Sequence, residues 1–192
     1  MVICALPLSA QVEGADNERV SHAEIGTLQA VETDGTILTS LPTGDGDYAH
    51  RTYRTGPMTA VRGLGGIMDV AEIPADVHGR VVMVEFVQDS GAQSPMALKL
   101  QFPTAREIQV THGSVAGIDI EGRRLTVANV DGATEMDLGV GYGAMIDDAA
   151  EGIVSLRDLK LGQGVTVYYA DAQALSTSES LARTAYLIVR TD

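Results

Sequence analysis

The chain has 192 residues, of which 45% are hydrophobic and 20% charged, with no Trp, two Phe and a formal net charge of −13. That balance excludes wholesale disorder. Residues 1–103 hold 6 basic and 13 acidic side chains and residues 104–192 hold 7 and 13, so neither half has the clustered cations that nucleic acid or an anionic membrane requires.

Met1 to Ala10 is an apolar run ending in Leu-Ser-Ala, like the end of a secretory signal, although it lacks a basic start. It is shorter than the roughly 20 apolar residues that cross a bilayer. We read it as an extended arm that docks on its own domain or on a neighbour, with Val2, Ile3, Leu6 and Leu8 as interface residues. Cys4 is the only cysteine, so no intrachain disulfide can form, and the apolar setting without a nearby base favours an inert packed thiol. Gln11 to His22 is polar and reads as a connector, so the arm and connector span residues 1–22.

Two domains are expected after it, at 23–103 and 104–192, because the chain repeats itself. At an offset of 87, Gly26 matches Gly113, Leu28 matches Val115, Val31 matches Ile118, Gly35 matches Gly122, Leu38 matches Leu125 and Thr39 matches Thr126. Each copy reads as a strand, a tight Gly-containing turn and a return strand, the pattern of a β-hairpin.

In the first repeat, Pro42 to Tyr48 is a turn cluster and Tyr48 to Val61 a polar strand with His50, Arg51, Tyr53 and Arg54. Gly63 to Gly66 is a break. Arg80 to Val87 and Met96 to Phe102 are paired strands, and Pro103 to Arg106 is a linker. In the second, Glu135 to Val140 alternates at period two and Gly139 to Gly143 interrupts it. Ser155 can cap a short helical turn anchored by Leu156, Leu159 and Leu161 and stopped by Gly162. Gly164 to Tyr169 and Thr184 to Arg190 are strands. The two endings correspond through Val77, Val81 and Leu98 with Leu161, Val165 and Leu187. Short strands with so few helical residues define an all-β fold of two tandem small β-barrels, OB-like or SH3-like, closed to remove exposed edges.

Gly113-Ser-Val-x-x-Ile118, Leu125-Thr-Val with Asp131-Gly132, and Ser155-Leu-Arg-Asp-Leu-Lys-Leu-Gly-Gln-Gly-Val-Thr-Val167 resemble a bacterial family of small β-barrel domains of unknown function, often found in exported proteins. The resemblance spans residues 112–190 and, loosely, 25–101. The first repeat departs from it by lacking the Ser-Leu-x-Asp-Leu turn and by an insertion at 42–70. The family brings no activity with it.

His22, His50, His78 and His112 stand 28, 28 and 34 residues apart, without the close spacing of a metal site. Asp45-Gly-Asp47 and Asp147-Asp148 with Glu151 lack the series of an EF-hand loop and read as solvated turns. The glycine runs do not lead from a strand into a helix bearing Lys, no Gly-x-Ser-x-Gly elbow occurs, and Cys4 has no positioned base. The six Tyr read as barrel or interface residues. No catalytic, cofactor or metal residue is therefore nominated.

The expectation is a non-enzymatic structural subunit of a larger assembly, a virion accessory protein such as a capsid cement, decoration or tail component. Its partners would be protein subunits, self or coat, with neither nucleic acid nor membrane insertion. The alternative is an exported binding module of the bacterial periplasm or cell surface.

Overall fold

The computed structural model describes residues 20–42, 47–65, 68–88, 91–105, 107–130, 134–171 and 183–191. The arm residues Val2, Ile3, Leu6 and Leu8, and the Asp45 turn, lie outside them. Among the described residues the fold is all-β, with two sheets and three single-turn 3-10 helices.

The first sheet holds β1 (Ser21–Val31), β2 (Ile37–Pro42), β3 (Tyr48–Tyr53), β4 (Ala60–Arg62), β5 (Val81–Val87) and β6 (Met96–Gln101), in the order β3-β2-β1-β5-β6-β4. The second holds β7 (Gln109–Asp119), β8 (Arg124–Asn129), β9 (Glu135–Asp148), β10 (Gly152–Val154), β11 (Gly164–Asp171) and β12 (Arg183–Arg190), in the order β10-β9-β12-β11-β7-β8. Because β9 also pairs with β8, the second sheet closes into a five-stranded barrel. The first sheet meets itself at one bridge, where Arg54 pairs with Met96.

Register shows how deep the duplication runs. Leu28 N–H donates to Arg80 O at 2.9 Å and Gly79 N–H to Leu28 O at 2.8 Å; Val115 N–H donates to Gln163 O at 2.9 Å and Gly162 N–H to Val115 O at 2.8 Å. Both first strands carry a bulge at the same step, between Leu28 and Ala30 and between Val115 and Gly117. Both closing pairs carry another, at Glu85/Phe86 and at Tyr168/Tyr169. Long β9 corresponds to β3 and β4 together. Arg54 and Ala60 take partners in β6, as Gly139 and Met145 do in β12, with an excursion of the same length between them.

This register corrects several expected matches. The return strand of the first hairpin sits one residue earlier than a constant offset places it, so that Ile37, paired with Val31, is the counterpart of Leu125, paired with Ile118. Val82, not Val81, corresponds to Val165, since Gly26 faces Val82 and Gly113 faces Val165. Lys99, not Leu98, corresponds to Leu187, because Glu85 pairs with Lys99 where its counterpart Tyr168 pairs with Leu187. The helical turn is present in the first repeat after all. Asp69 and Glu72 form a capping box around Val70–Glu72, as Ser155 and Asp158 do around Leu156–Asp158. Asp/Glu replacing Ser/Asp hides the likeness, although each pair satisfies the first-turn N–H groups in the same way. Leu161 is no anchor; it is 69% exposed, and Leu159 holds the core position.

Each barrel buries an apolar interior, with Leu28, Ile37, Tyr53, Val82, Val84 and Leu100 in the first and Val115, Leu125, Leu138, Val165, Val167 and Ile188 at the matching positions of the second. β5 reads as a nearly unbroken apolar run because both of its faces are covered. Val82, Val84 and Phe86 face the first core, while Val81 and Met83 join a third cluster between the barrels.

Candidate functional site

The third cluster is a seam. Ala23 and Ile25 of β1, with Val81 and Met83 of β5, pack on Met145 of β9 and Leu187 of β12, and Tyr168, Tyr186 and Val189 close around them. Burying such side chains is worth roughly 1.5–3 kcal/mol each, which fixes the barrels side by side.

Polar groups gather where the seam meets the open end of the first barrel. Period two sends Ala23 and Ile25 outward and His22 and Glu24 inward. Arg51 and Tyr53, two apart on β3, point the same way, and both donate hydrogen bonds to the Glu24 carboxylate, Arg51 to Oε1 and Tyr53 to Oε2. The Arg51 guanidinium lies over Phe86 at 4.8 Å from its ring centre. Burial first, and the adjacent Glu24 second, push the Tyr53 phenol far above its ordinary value, so it stays a donor.

Across the seam, Asp147 Oδ1 lies 3.2 Å from His22 Nδ1 and accepts a hydrogen bond from Ala23 N–H at 3.2 Å. Burial raises the Asp147 pKa above its ordinary value, opposed by His22 and the Ala23 N–H. Its neighbour Asp148 turns away, accepting N–H bonds from Ala150 at 2.9 Å and Glu151 at 2.7 Å and pairing with Arg190 at 3.0 Å. Those bonds hold the Asp148 carboxyl below its ordinary value. Both acids are buried rather than solvated as expected, because β9 runs on through Gly139–Gly143, bringing Asp147 to the seam and leaving Asp148 to hold the turn that ends in exposed Glu151.

The matched positions of the second barrel lack this chemistry. His22, Glu24, Arg51 and Tyr53 correspond to Gln109, Thr111, Met136 and Leu138. The polar set therefore belongs to the first barrel alone, as a mutually satisfied trio that fixes the mouth geometry. Its sequence signal was Arg51-Thr-Tyr53, a polar and an aromatic side chain on one face of a strand; what the sequence lacked was Glu24 as their partner.

The other expected residues are scattered. His50 and His78 are exposed on the first barrel, and His112 Nδ1 lies 2.8 Å from Thr166 Oγ1 on the second. Among the described residues no group of three or more His, Cys, Asp or Glu could hold a metal ion, and no helix is long and apolar enough to cross a membrane. Tyr53 and Tyr169 are core residues, Tyr168 and Tyr186 line the seam, and Tyr48 and Tyr142 are exposed.

Two clefts open along the seam. One of about 390 Å³ is lined by Ile25, Gly26, Thr27, Pro42, Tyr48, Val81, Glu107 and Ile108. Its neighbour of about 260 Å³ shares Ile25 and Pro42 and reaches Glu24, Asp147 and Tyr168.

No family model and no curated protein matches the chain. Among solved structures, one titled "Crystal structure of Ag(I)CusF" aligns at 14% identity over 44% of this chain and 99% of that one, with a TM-score of 0.32. So slight a likeness decides nothing about this chain's site or role.

Proposed function

We propose that the chain is a non-enzymatic structural subunit of a larger assembly, with a virion accessory role as the setting and protein neighbours as its partners. The observation that supports this reading is a repeated surface feature. The excursion of each barrel holds a large apolar side chain out to solvent, Met58 at 89% exposure and Tyr142 at 94%. They stand at adjacent positions of equivalent excursions, and exposed apolar groups on a rigid frame suit contact with other proteins. The charges near the seam support it as well, since the half-buried Glu24 and Arg51 and the buried Asp148 are engaged with one another or with neighbouring donors. The apolar arm, through Val2, Ile3, Leu6 and Leu8, is the second contact in this proposal. The test is the native mass of the particle with the intact mass of its chain. A multi-copy complex of the full chain is expected, and removal of residues 2–12 is expected to leave folded single copies. A native single copy, or assembly that survives the deletion, overturns the reading.

A further inference from the structure

The ladder between β1 and β2 covers only Thr27 to Val31, whereas β1 pairs with β5 from Ser21 to Thr27. The β2-facing edge of Ser21–Gly26 thus has no strand partner among the described residues. β2 cannot extend the ladder past Leu41 as a donor, because Pro42 has no N–H. Part of this edge is already covered: Ala23 N–H is taken by Asp147, Ser21 O lies against Gly152, and Gly26 lies against Ser40 and Leu41. Alternation settles the rest. Leu28 turns its N–H and C=O toward β5 and Ala23 turns its N–H the other way, so Ile25, two residues on, turns its N–H and C=O toward the β2 side, where the continued register places Pro42, which has no N–H to give its carbonyl. Ile25 lines both clefts, between walls formed by Pro42, Tyr48, Val81 and Ile108.

We propose that this edge is the docking groove for the apolar arm of a second copy, residues Val2–Leu8, added as a short strand beside Ile25. The inference rests on the assembly reading above and names its contact surface. An unpaired strand edge with apolar recesses on either side is the surface that strand addition uses, with main-chain hydrogen bonds for affinity and recesses for alternate side chains. The arm has the matching chemistry: it is uncharged and apolar, and period two places Val2, Leu6 and Leu8 on one face with Ile3 on the other. Nineteen residues precede Val20, where the described chain begins at the end of β1, and 11 of them, Ser9–Arg19, separate the arm from that point. At about 3.3 Å per residue, a connector of that length is long enough, if extended, to span to a neighbouring copy.

The test uses the full chain with p-benzoylphenylalanine replacing the exposed Tyr48, mixed as heavy-isotope and light copies before irradiation. Cross-links from position 48 of one isotope to residues 2–8 of the other are expected. Cross-links of position 48 to its own copy's arm, or to any segment other than the arm, overturn the groove. A second variant, Ile3→Pro with Cys4→Pro, removes an arm N–H donor on either edge and lies outside the barrels. Assembly is expected to weaken at least tenfold; unchanged assembly overturns strand addition. The two readings fail separately, since a native single copy sinks the assembly, whereas an intact assembly with position 48 linked elsewhere sinks only the groove.

Discussion

The two barrels share their strand order, their bulges and their excursion, yet they fill corresponding positions with different chemistry. The first closes its mouth with Tyr53, Arg51 and Glu24, and the second places Leu138, Met136 and Thr111 there. The first is joined end to end by the Arg54–Met96 bridge, whereas the second is zipped by the β8–β9 ladder from Arg124 to Ala128. A closed ladder satisfies its own edge, so the second barrel can place apolar Met136 and Leu138 at the positions of Arg51 and Tyr53. The first, with its weaker closure, uses side-chain hydrogen bonds to hold β1 and β3 together.

The largest expected effects come from disturbing these two solutions. Leu138→Ala in the second barrel removes a fully buried side chain and should cost about 2–5 kcal/mol. Tyr53→Leu, which writes the second barrel's residue into the first, keeps an apolar group but strips a donor from Glu24, and should cost about 1–3 kcal/mol. Urea unfolding of both variants measures the gap; a harmless Tyr53→Leu would show that the trio does not stabilise the mouth.

A smaller contrast lies in the hairpin turns. Gly35 has φ of 83°, and its counterpart across the one-residue shift is Arg123 at 49°, not Gly122. Arg123 tolerates the left-handed conformation because its guanidinium donates to Val140 O at 2.9 Å and Gly141 O at 2.7 Å and lies over the Tyr142 ring. Gly35→Ala adds that strain without compensation and should cost about 1–2 kcal/mol. Arg123→Gly relieves the strain but loses the bonds, so its change should stay within about 1 kcal/mol. Thermal melts of the pair test this ordering.

The smallest effects are in pH. Asp148 and Asp158, both in the second barrel, have folded pKa values below their ordinary 3.8, so the folded state binds fewer protons near that pH. Their stabilisation is present above 3.8 and is lost as pH falls through the lowered folded values. Asp147 has the opposite sign: its raised folded pKa makes stability fall as pH rises from 3.8 through that value. Acid titration of stability should therefore show a shallower loss for Asp148→Asn and a steeper one for Asp147→Asn, and identical profiles would refute both assignments.

Much of the architecture was readable from particular residues. Gly26 and Gly113 mark the same close approach of first and return strands: a Cβ at Gly26 would sit 2.6 Å from Ser40 O, and one at Gly113 would strike Ala128 O. That shared constraint made the hairpins visible. Beyond them a constant offset failed, because each turn gained or lost residues while the ladder kept its register. The candidate site was harder to see, since Glu24 lies 27 residues from Arg51 and 123 from Asp147, and no local pattern links them.

Alternation, glycine placement and the absence of long helical periodicity settled the all-β class and the duplication, because those signals act between neighbours along one strand or across one tight turn. The seam, the buried Asp147 and the clefts at Ile25 depended on how the second barrel packs against β1. Period two names two faces of a strand, and only the folded chain determines what covers each of them.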